Sequence, residues 1–408
     1  MCALRAIDSQ PAIEGGKPVR EPERYLVFGR PAIGEAEIAE VVDTLRSGWI
    51  GTGPKVARFE REFARYVGAE HAVALASCTA SLHLAIQASG IGPGDEVVTT
   101  PMTFCATINA ILHAGATPVL ADCQPGTGNL DPERVAERIT PRTRALLPVH
   151  LAGRACDMPT LVALADWHGL MVLEDCAHAI EARSASGRHA GTHGRAGAFS
   201  FYVTKNLVTA EGGMLVSDDA STAERVKVMA LHGMSVDAWK RFGDDGYRHY
   251  DVVGAGFKYN MTDLQASLGL HQLARLEQGL ARREEIWRRY DEAFADLPLE
   301  TPPPPEPGTR HARHLYTVLL EEGRCLISRD RFVAALHAEG IGAGVHYRAI
   351  TEHAFYRDRL GQRLGDFPVA EDIGRRTLSL PLSPGLDDDD VEDVIAAVRR
   401  VASAYAIY

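Results

Sequence analysis

Short apolar runs alternate with longer segments of mixed polarity through the first half of the chain. Seven of these runs have the length of a β-strand and cover residues 72–76, 96–99, 117–121, 144–149, 170–174, 197–203 and 213–217. The first five are separated by segments long enough for crossover helices, which favours a parallel sheet with helices on both faces. Only nine residues lie between Val203 and Gly213, too few for such a crossover, so the last pair is predicted to be antiparallel.

The second half of the chain begins with a helical pattern. Thr262 and Gln265 match a capping box. Leucines then recur at near-helical spacing from Leu264 to Leu280, which predicts one long helix that leads into a second domain. Beyond it we expect strands over residues 314–320 and 341–347, a helix that starts after Ser328 and ends at Gly340, and a last helix over residues 391–402.

These patterns predict an α/β fold in two parts. Residues 1–275, with the N-terminal segment, would form a large three-layer α/β/α domain around a mostly parallel seven-stranded sheet. Residues 276–408 would form a smaller C-terminal domain of mixed α/β structure. A chain of 408 residues is long enough for two domains of this size.

Composition and charge argue against several classes of protein. The net charge is −11, whereas a nucleic-acid surface needs a basic face. No apolar run approaches membrane-spanning length, and the first residues lack the apolar core of a signal peptide. The seven cysteines are scattered, which favours reduced thiols in a cytoplasmic enzyme. Cys176 and His178 have no second pair at ligand spacing, so no metal site is predicted.

A lysine follows the sixth apolar run, where a surface charge is unexpected. Lys205 comes after an aromatic strand, and Glu211, Gly212 and Gly213 follow it. A lysine in this position can be an ordinary surface charge. If the side chain is enclosed, however, desolvation disfavours its ammonium form and makes the amine a nucleophile that can form a Schiff base.

Two further polar residues follow the fifth apolar run. Asp175 could cap a helix, or it could pair with the ring nitrogen of a pyridine cofactor and make that ring an electron sink. His178, three residues later, could be a buried histidine held by the backbone, or it could bond to the phenolic oxygen of the same ring. The residue types alone leave both alternatives open.

A strand-to-helix turn upstream can bind phosphate. Residues 77–81 read Ser-Cys-Thr-Ala-Ser after an apolar run, and the backbone amides of such a helix start bind anions without a positive side chain. Ser200 could add a hydroxyl group, and Phe104 could stack on a ring. An amine, a carboxylate and a phosphate-binding turn at strand ends are the three groups that pyridoxal phosphate requires.

With these residues together, the sequence resembles the DegT/StrS-type aminotransferases, the sugar-aminotransferase branch of the fold type I pyridoxal-phosphate enzymes. The resemblance covers nearly the whole chain from Ser47 onwards. It is carried by SGWIGTGP at 47–54, TASL at 79–82, DEVV at 95–98, PVHL at 148–151, EDCAH at 174–178, FSFYVTK at 199–205 and GFKYNMTD at 256–263. Two positions depart from the family pattern: Thr351 stands where many relatives have a second histidine, and Cys78 where glycine is usual.

The resemblance implies a role for each candidate residue. Lys205 would be the Schiff-base lysine, Asp175 the partner of the ring nitrogen and His178 the partner of the ring oxygen. The other cofactor contacts would come from Thr79, Ala80, Phe104, Ser200 and Asn260, and the substrate contacts from Trp49, Thr52, Arg241, Arg248 and His346. Because Asn260 would be lent to the cofactor phosphate of the neighbouring subunit, the resemblance also implies a homodimer with shared active sites.

The family implies a transamination from L-glutamate to a nucleotide-linked keto-sugar, with a weak preference for a 4-keto-6-deoxyhexose. One alternative is an aminocyclitol aminotransferase that acts on a keto-inositol without a nucleotide. A sugar dehydratase of the same fold would have histidine in place of Lys205, which argues against that alternative. A non-catalytic cofactor-binding regulator finds no support, because the sequence has no helix-turn-helix pattern and no basic face.

Overall fold

A computed structural model describes residues 10–235 and 250–407 of the chain. Seven strands form one sheet in the spatial order β1-β7-β6-β5-β4-β2-β3. They are β1 (His71–Leu75), β2 (Glu96–Thr99), β3 (Thr117–Leu120), β4 (Thr143–Leu147), β5 (Met171–Asp175), β6 (Ala196–Ser200) and β7 (Gly213–Ser217). β7 is antiparallel to both of its neighbours, while the other neighbouring pairs are parallel. The predicted sheet and its single reversed strand are therefore confirmed.

Helices cover both faces of this sheet. In β1, Val73 and Leu75 pack into one apolar cluster, and Ala72 and Ala74 pack into another on the opposite face. The first cluster is completed by helices α3, α4 and α7, and the second by α2 and α8. The helices up to this point are α1 (Glu35–Ser47), α2 (Pro54–Val67), α3 (Cys78–Ala88), α4 (Cys105–His113), α5 (Pro132–Ala136), α6 (Met158–His168), α7 (Ala220–Ala230) and α8 (Asp263–Ala274). The three-layer α/β/α arrangement is confirmed.

The long helix predicted after Thr262 is divided in two. The capping box is present, because the Thr262 hydroxyl accepts from the Gln265 amide and the Gln265 side chain accepts from the Thr262 amide. Arg275 then departs from helical geometry, with φ −111° and ψ 11°, and α9 (Leu276–Phe294) follows. The predicted domain boundary falls at this break, and the division into two domains stays a prediction.

The C-terminal part of the chain forms a three-stranded antiparallel sheet in the order β10-β9-β8. Its elements are β8 (Leu299–Glu300), β9 (Tyr316–Leu320), α10 (Arg329–Ala338), α11 (Ala354–Leu360), α12 (Pro368–Arg376), β10 (Thr377–Leu380) and α13 (Asp388–Ala404). Its apolar core includes Tyr316, Phe332 and Val398, together with Leu26 from the N-terminal segment. The prediction had placed that segment with the large domain, whereas Leu26 pairs with Ile341 of the C-terminal part.

The strand expected over residues 341–347 is wrong. This segment pairs at isolated points, Ile341 with Leu26 and Gly344 with Ser379, and otherwise runs as irregular backbone. The segment lies between Leu26 on one side and Ser379 on the other. Its alternating apolar residues therefore come from packing between these neighbours and not from a ladder of strand hydrogen bonds. The segment ends at His346 and Tyr347, which it brings to the candidate site described below. In the part of the chain that the structure describes, no helix combines the length and the apolar character needed to cross a membrane.

Candidate active site

Lys205 lies in the turn that follows β6, and its backbone amide donates to the Tyr202 carbonyl at 2.9 Å. Burial of the side chain lowers the pKa of its amine to about 8, because desolvation disfavours the ammonium ion. Asp175 and Cys78 act in the opposite direction, since negative charge at either would stabilise the ammonium ion. The lysine is thus a half-buried amine that loses its proton more readily than an exposed lysine does.

Asp175 is the last residue of β5, at the same sheet edge as Lys205, and is 4% exposed. Its Oδ2 accepts from the Thr107 hydroxyl at 2.8 Å, and its Oδ1 accepts from the Ala177 amide at 3.1 Å. Burial raises the pKa of this carboxyl group, and these two hydrogen bonds and Lys205 counteract the rise. The backbone amide that Asp175 accepts from lies in a turn, and no helix begins after Asp175, so the alternative interpretation as a helix cap does not hold.

The turn between β1 and α3 has the geometry expected of an anion site. Ser77 caps α3 by accepting from the Ala80 amide at 3.1 Å, which leaves the Cys78 and Thr79 amides in the first turn without intrahelical partners. Gly213, at the start of β7, packs against this turn: an added Cβ would lie 2.4 Å from the Ser77 carbonyl carbon. Ser200 pairs with Gly213 across β6 and β7, so its hydroxyl group belongs to the same sheet edge.

His178 is a buried, neutral imidazole with a defined tautomer. Its Nδ1 accepts from the Ala152 amide at 3.2 Å, so the proton resides on Nε2, which lies 3.0 Å from the Tyr347 hydroxyl oxygen. Burial, followed by the charges of Lys205, His314 and His346, holds the pKa of His178 well below its usual range. At physiological pH this residue can therefore donate one hydrogen bond from Nε2.

Phe104 precedes α4 and keeps 57% of its surface exposed, although phenylalanine side chains are usually buried. Its ring centroid lies 5.8 Å from that of Tyr347, and both rings line a cleft of about 1070 Å³. The wall of this cleft continues along the C-terminal part of the chain to Arg375 and Arg376. Lys205 lies instead on a separate cavity of about 30 Å³, so Tyr347 stands between the large cleft and the innermost polar residues.

Asn260 lies beside the carboxyl end of its own β1, where it forms an isolated bridge with Leu75. Its Nδ2 donates to the Thr52 hydroxyl at 2.7 Å, and that hydroxyl donates to the Met261 carbonyl at 2.5 Å. Trp49 is 43% exposed and donates from Nε1 to the Thr52 carbonyl at 3.1 Å. The Oδ1 atom of Asn260 is buried and has no hydrogen-bond partner among residues 10–235 and 250–407.

His346 is brought to the site by the irregular segment that replaces the expected strand. Its Nδ1 lies 2.8 Å from the Ser379 hydroxyl, and its ring stacks on Phe28 at 5.5 Å. Burial, together with the charge of Lys205, lowers the pKa of His346 to about 4. The predicted substrate contacts Arg241 and Arg248 lie outside the described residues.

Several residues of the site were not identified from the sequence. Thr107 binds Asp175, Tyr347 binds His178, and Asn206 binds Nδ1 of His314 at 2.9 Å. The ring of His314 lies 4.4 Å from that of His178. Asn206, Tyr347 and Thr107 lie within three residues of the candidates Lys205, His346 and Phe104 and could have been singled out. His314 comes from a segment that carries no pattern pointing to the site.

A second buried group, His150, Glu174 and Cys176, has side-chain atoms close enough to hold a metal ion. Both oxygens of Glu174 accept backbone amide hydrogens, from Gly191, His193 and Gly194, and His150 bonds to Glu174 at 3.1 Å. Nδ1 of His150 accepts from the Cys156 amide. These ligand atoms are already used in hydrogen bonds that hold the loop before β6.

The residues at this sheet edge fit pyridoxal phosphate. The Cys78 and Thr79 amides offer a phosphate site, and Asp175 offers a buried carboxylate. Lys205 offers an amine that burial makes partly neutral, and Phe104 keeps an exposed ring face. Together these residues provide for each chemical group of the cofactor.

Comparisons with known proteins agree with this reading. The model of the DegT/DnrJ/EryC1/StrS aminotransferase family matches residues 31–399. The chain is 50% identical over 385 residues to the spore coat polysaccharide biosynthesis protein SpsC of Bacillus subtilis (strain 168), covering 94% of this chain and 98% of SpsC.

Two solved structures share the whole fold. Spr1654 of Streptococcus pneumoniae, assigned as a sugar aminotransferase and solved in its PLP form, is 34% identical with a TM-score of 0.86, over 93% of this chain and 99% of that one. DesI, solved in the presence of its TDP-sugar product, is 34% identical with a TM-score of 0.85, over 97% of each chain. The chain therefore belongs to the DegT/DnrJ/EryC1/StrS aminotransferase family, and pyridoxal phosphate is its cofactor.

Proposed function

We propose that the protein transfers the amino group of L-glutamate to a nucleotide-linked keto-sugar, with a 4-keto-6-deoxyhexose as the preferred acceptor. The observation that carries this proposal is the convergence of a half-buried amine at Lys205, a buried carboxylate at Asp175 and the amides at the start of α3 on one sheet edge. Transamination by pyridoxal phosphate needs each of these three groups.

When bound, the cofactor supplies an electron sink for the carbon from which a proton is removed. Lys205 removes that proton and returns it, because its pKa of about 8 lets the amine act as base and as acid near neutral pH. Asp175 provides a fixed negative charge at the ring position, and the Cys78 and Thr79 amides hold the phosphate. His178 would donate a hydrogen bond from Nε2 to an oxygen of the cofactor ring.

The size of the cleft favours a nucleotide sugar over a free cyclitol. Its volume of about 1070 Å³ slightly exceeds the roughly 300–1,000 Å³ that is typical of small-molecule sites. DesI, of similar fold, was solved in the presence of its TDP-sugar product, and SpsC takes its name from polysaccharide biosynthesis. Phe104 and Tyr347 line this cleft and Tyr347 bonds to His178, so we place the sugar carbonyl at this end of the cleft.

A homodimer with shared sites is part of the proposal. The Oδ1 atom of Asn260 is buried and finds no partner in the described part of its own chain, and α1 exposes Ile38, Val42 and Leu45 by 36 to 56% along one face. Apolar stripes of this kind are typical of protein interfaces.

Mixed dimers of Lys205→Ala and Asn260→Ala subunits test the shared site, provided each parent dimer is inactive. One intact site per mixed dimer should restore activity, and a mixture as inactive as its parents would contradict sharing.

A substrate panel tests the function itself. Purified protein loaded with pyridoxal phosphate is incubated with ¹⁵N-labelled glutamate and with keto-sugars linked to UDP, dTDP or GDP, alongside keto-inositols, and products are weighed by mass spectrometry. We expect ¹⁵N in a nucleotide sugar and none in the same mixture with Lys205→Ala protein. If ¹⁵N appeared only in a cyclitol, the aminocyclitol alternative would be favoured. If adding glutamate did not reduce the visible absorption of the bound cofactor, the proposal that glutamate is the amino donor would be contradicted.

A further inference from the structure

Arg283 of α9 carries a buried positive charge that the proposed chemistry does not use. The residue is 1% exposed, and its Nη2 donates to Oε1 of Glu181. Its Nε and Nη1 atoms are also buried, and neither has a hydrogen-bond partner in the part of the chain that the structure describes. A buried donor of a charged group is costly to leave without an acceptor, and native proteins pair such donors with protein, water or an ion. The two nitrogens therefore call for an acceptor that the described residues do not supply.

A small cavity beside this guanidinium can hold that acceptor. Its volume is about 30 Å³. The described residues of its wall are residues 29–32, 203–206 and 382–384, with Val208, Gln272 and Arg283. Gly279, one helical turn before Arg283, has no side chain to fill the space beside Nη1: a Cβ atom there would lie 3.3 Å from Nη1 and 3.6 Å from Cγ of Pro384. The cavity wall at Pro384 and the unpartnered nitrogen therefore face a common space.

The charge of the cavity wall favours an anion over water. Three basic residues, Arg30, Lys205 and Arg283, belong to the wall, and no aspartate or glutamate is among its described residues. The ion pair with Glu181 balances only one of these charges. An anion gains both from the remaining positive charge and from the charged donor. A volume of about 30 Å³ holds about two water molecules, which favours a monatomic anion over sulfate or phosphate.

We propose that this cavity binds a monovalent anion of the size of chloride, held by Nη1 of Arg283 next to the turn that carries Lys205. The guanidinium then uses Nη2 for Glu181 and Nη1 for the anion, so each of these donors has its own acceptor. Because residues 203–206 form part of the wall, the bound anion also stabilises the turn that carries the reacting amine. The inference depends on neither glutamate nor the sugar.

Bromide tests the site directly, because it can replace chloride and scatters X-rays anomalously. Crystals of the cofactor-loaded wild-type protein are soaked in sodium bromide, and diffraction is measured at the bromine absorption edge. We expect an anomalous peak in contact with Nη1 of Arg283. A map with water alone in the cavity, and no anomalous peak there, would overturn the proposal.

Thermal unfolding tests the same site in solution. A ligand that binds only the folded state raises the Tm. The Tm is measured in sodium chloride and in the same concentration of sodium gluconate, whose anion is too large for the cavity. We expect the gain from chloride to be about 1 to 2 °C larger for wild type than for the double variant Glu181→Gln/Arg283→Gln, which replaces the ion pair by a neutral pair. An equal gain in the two proteins would show binding at crystal concentration only and would contradict the proposal.

Glu339→Gln/Arg400→Gln is the matched control. These two residues also form a buried ion pair, with side chains 0% and 6% exposed, and they do not line this cavity. This variant should lose stability but keep the wild-type gain from chloride. If it lost that gain as well, the effect would follow any lost ion pair and the proposal would fail. If the Arg283 variant does not fold, Gly279→Leu carries the same comparison, because its side chain fills the space beside Nη1 and keeps both charges.

Discussion

The two sides of the active site are built in different ways. On the large-sheet side, Asp175 ends β5, Lys205 follows β6 and the phosphate turn follows β1, so each group is placed by the end of a regular strand. On the opposite side, His314, His346 and Tyr347 lie on irregular backbone and are held by single hydrogen bonds to distant residues. Strand ends of one sheet meet at a common edge, whereas irregular segments reach the site only through tertiary packing.

This difference suggests a division of labour. The strand ends position the groups that every pyridoxal-phosphate transaminase needs, on a sheet whose residues are almost fully buried. The irregular side supplies neutral imidazoles and the wall of the large cleft. A substitution there is expected to change cofactor affinity or substrate preference more than the transamination step itself. Substitutions on the large-sheet side should therefore remove activity. Substitutions on the irregular side should leave activity measurable and change its rate or its substrate preference.

The largest effect is expected from Asp175→Asn. The neutral amide keeps the size of the side chain but loses the negative charge, so we expect transamination to fall on the order of 10²-fold or more while the fold survives. Rates with glutamate and thermal unfolding curves measure the two quantities. If Asp175→Asn transaminated at the wild-type rate, Asp175 would have a structural role only.

Asp122 offers the matched control for this substitution. It is also a buried aspartate after a strand, but its carboxylate accepts from Cys123, Val369 and Ala370 and so caps the start of α12. Asp122→Asn should cost about 1 kcal/mol of unfolding free energy and leave the rate per folded molecule nearly unchanged. If the two substitutions lowered the rate per folded molecule equally, the proposal that Asp175 acts in catalysis and Asp122 only in folding would be contradicted.

A smaller effect is expected from Tyr347→Phe on the irregular side. In the proposed site, the ring oxygen of the cofactor would compete with the Tyr347 hydroxyl for the hydrogen bond from Nε2 of His178. Removal of the hydroxyl should tighten cofactor binding a few-fold, as measured by fluorescence titration, and lower the stability of the cofactor-free protein by about 1 kcal/mol.

Tyr356→Phe is the control, because Tyr356 lines the same cleft and donates one hydrogen bond, to Asn109 at 2.8 Å. It should lose similar stability with no change in the Kd of the cofactor. If both tyrosine variants bind the cofactor like wild type, His178 does not share its proton between Tyr347 and the cofactor.

The large-sheet side could be predicted from the sequence, whereas much of the irregular side could not. The seven strands and the reversed β7 could be read from apolar runs and from the short gap before Gly213, because burial on both faces leaves a strong local signal. Residues 341–347 have a similar alternation but lie between two parts of the chain, which no local pattern reveals. The break at Arg275 likewise interrupts a continuous leucine spacing. The Tyr347–His178 and Asn206–His314 hydrogen bonds join residues more than a hundred positions apart.

The central claim is that Lys205 is the amine that binds the cofactor. Borohydride reduction of the cofactor-loaded protein, followed by peptide mass spectrometry, tests it directly, because the chain has six lysines and each lies in a distinguishable peptide. We predict the reduced cofactor on Lys205 alone, and no label in Lys205→Ala. A label on one of the other five lysines, or none on the yellow wild-type protein, would contradict the account.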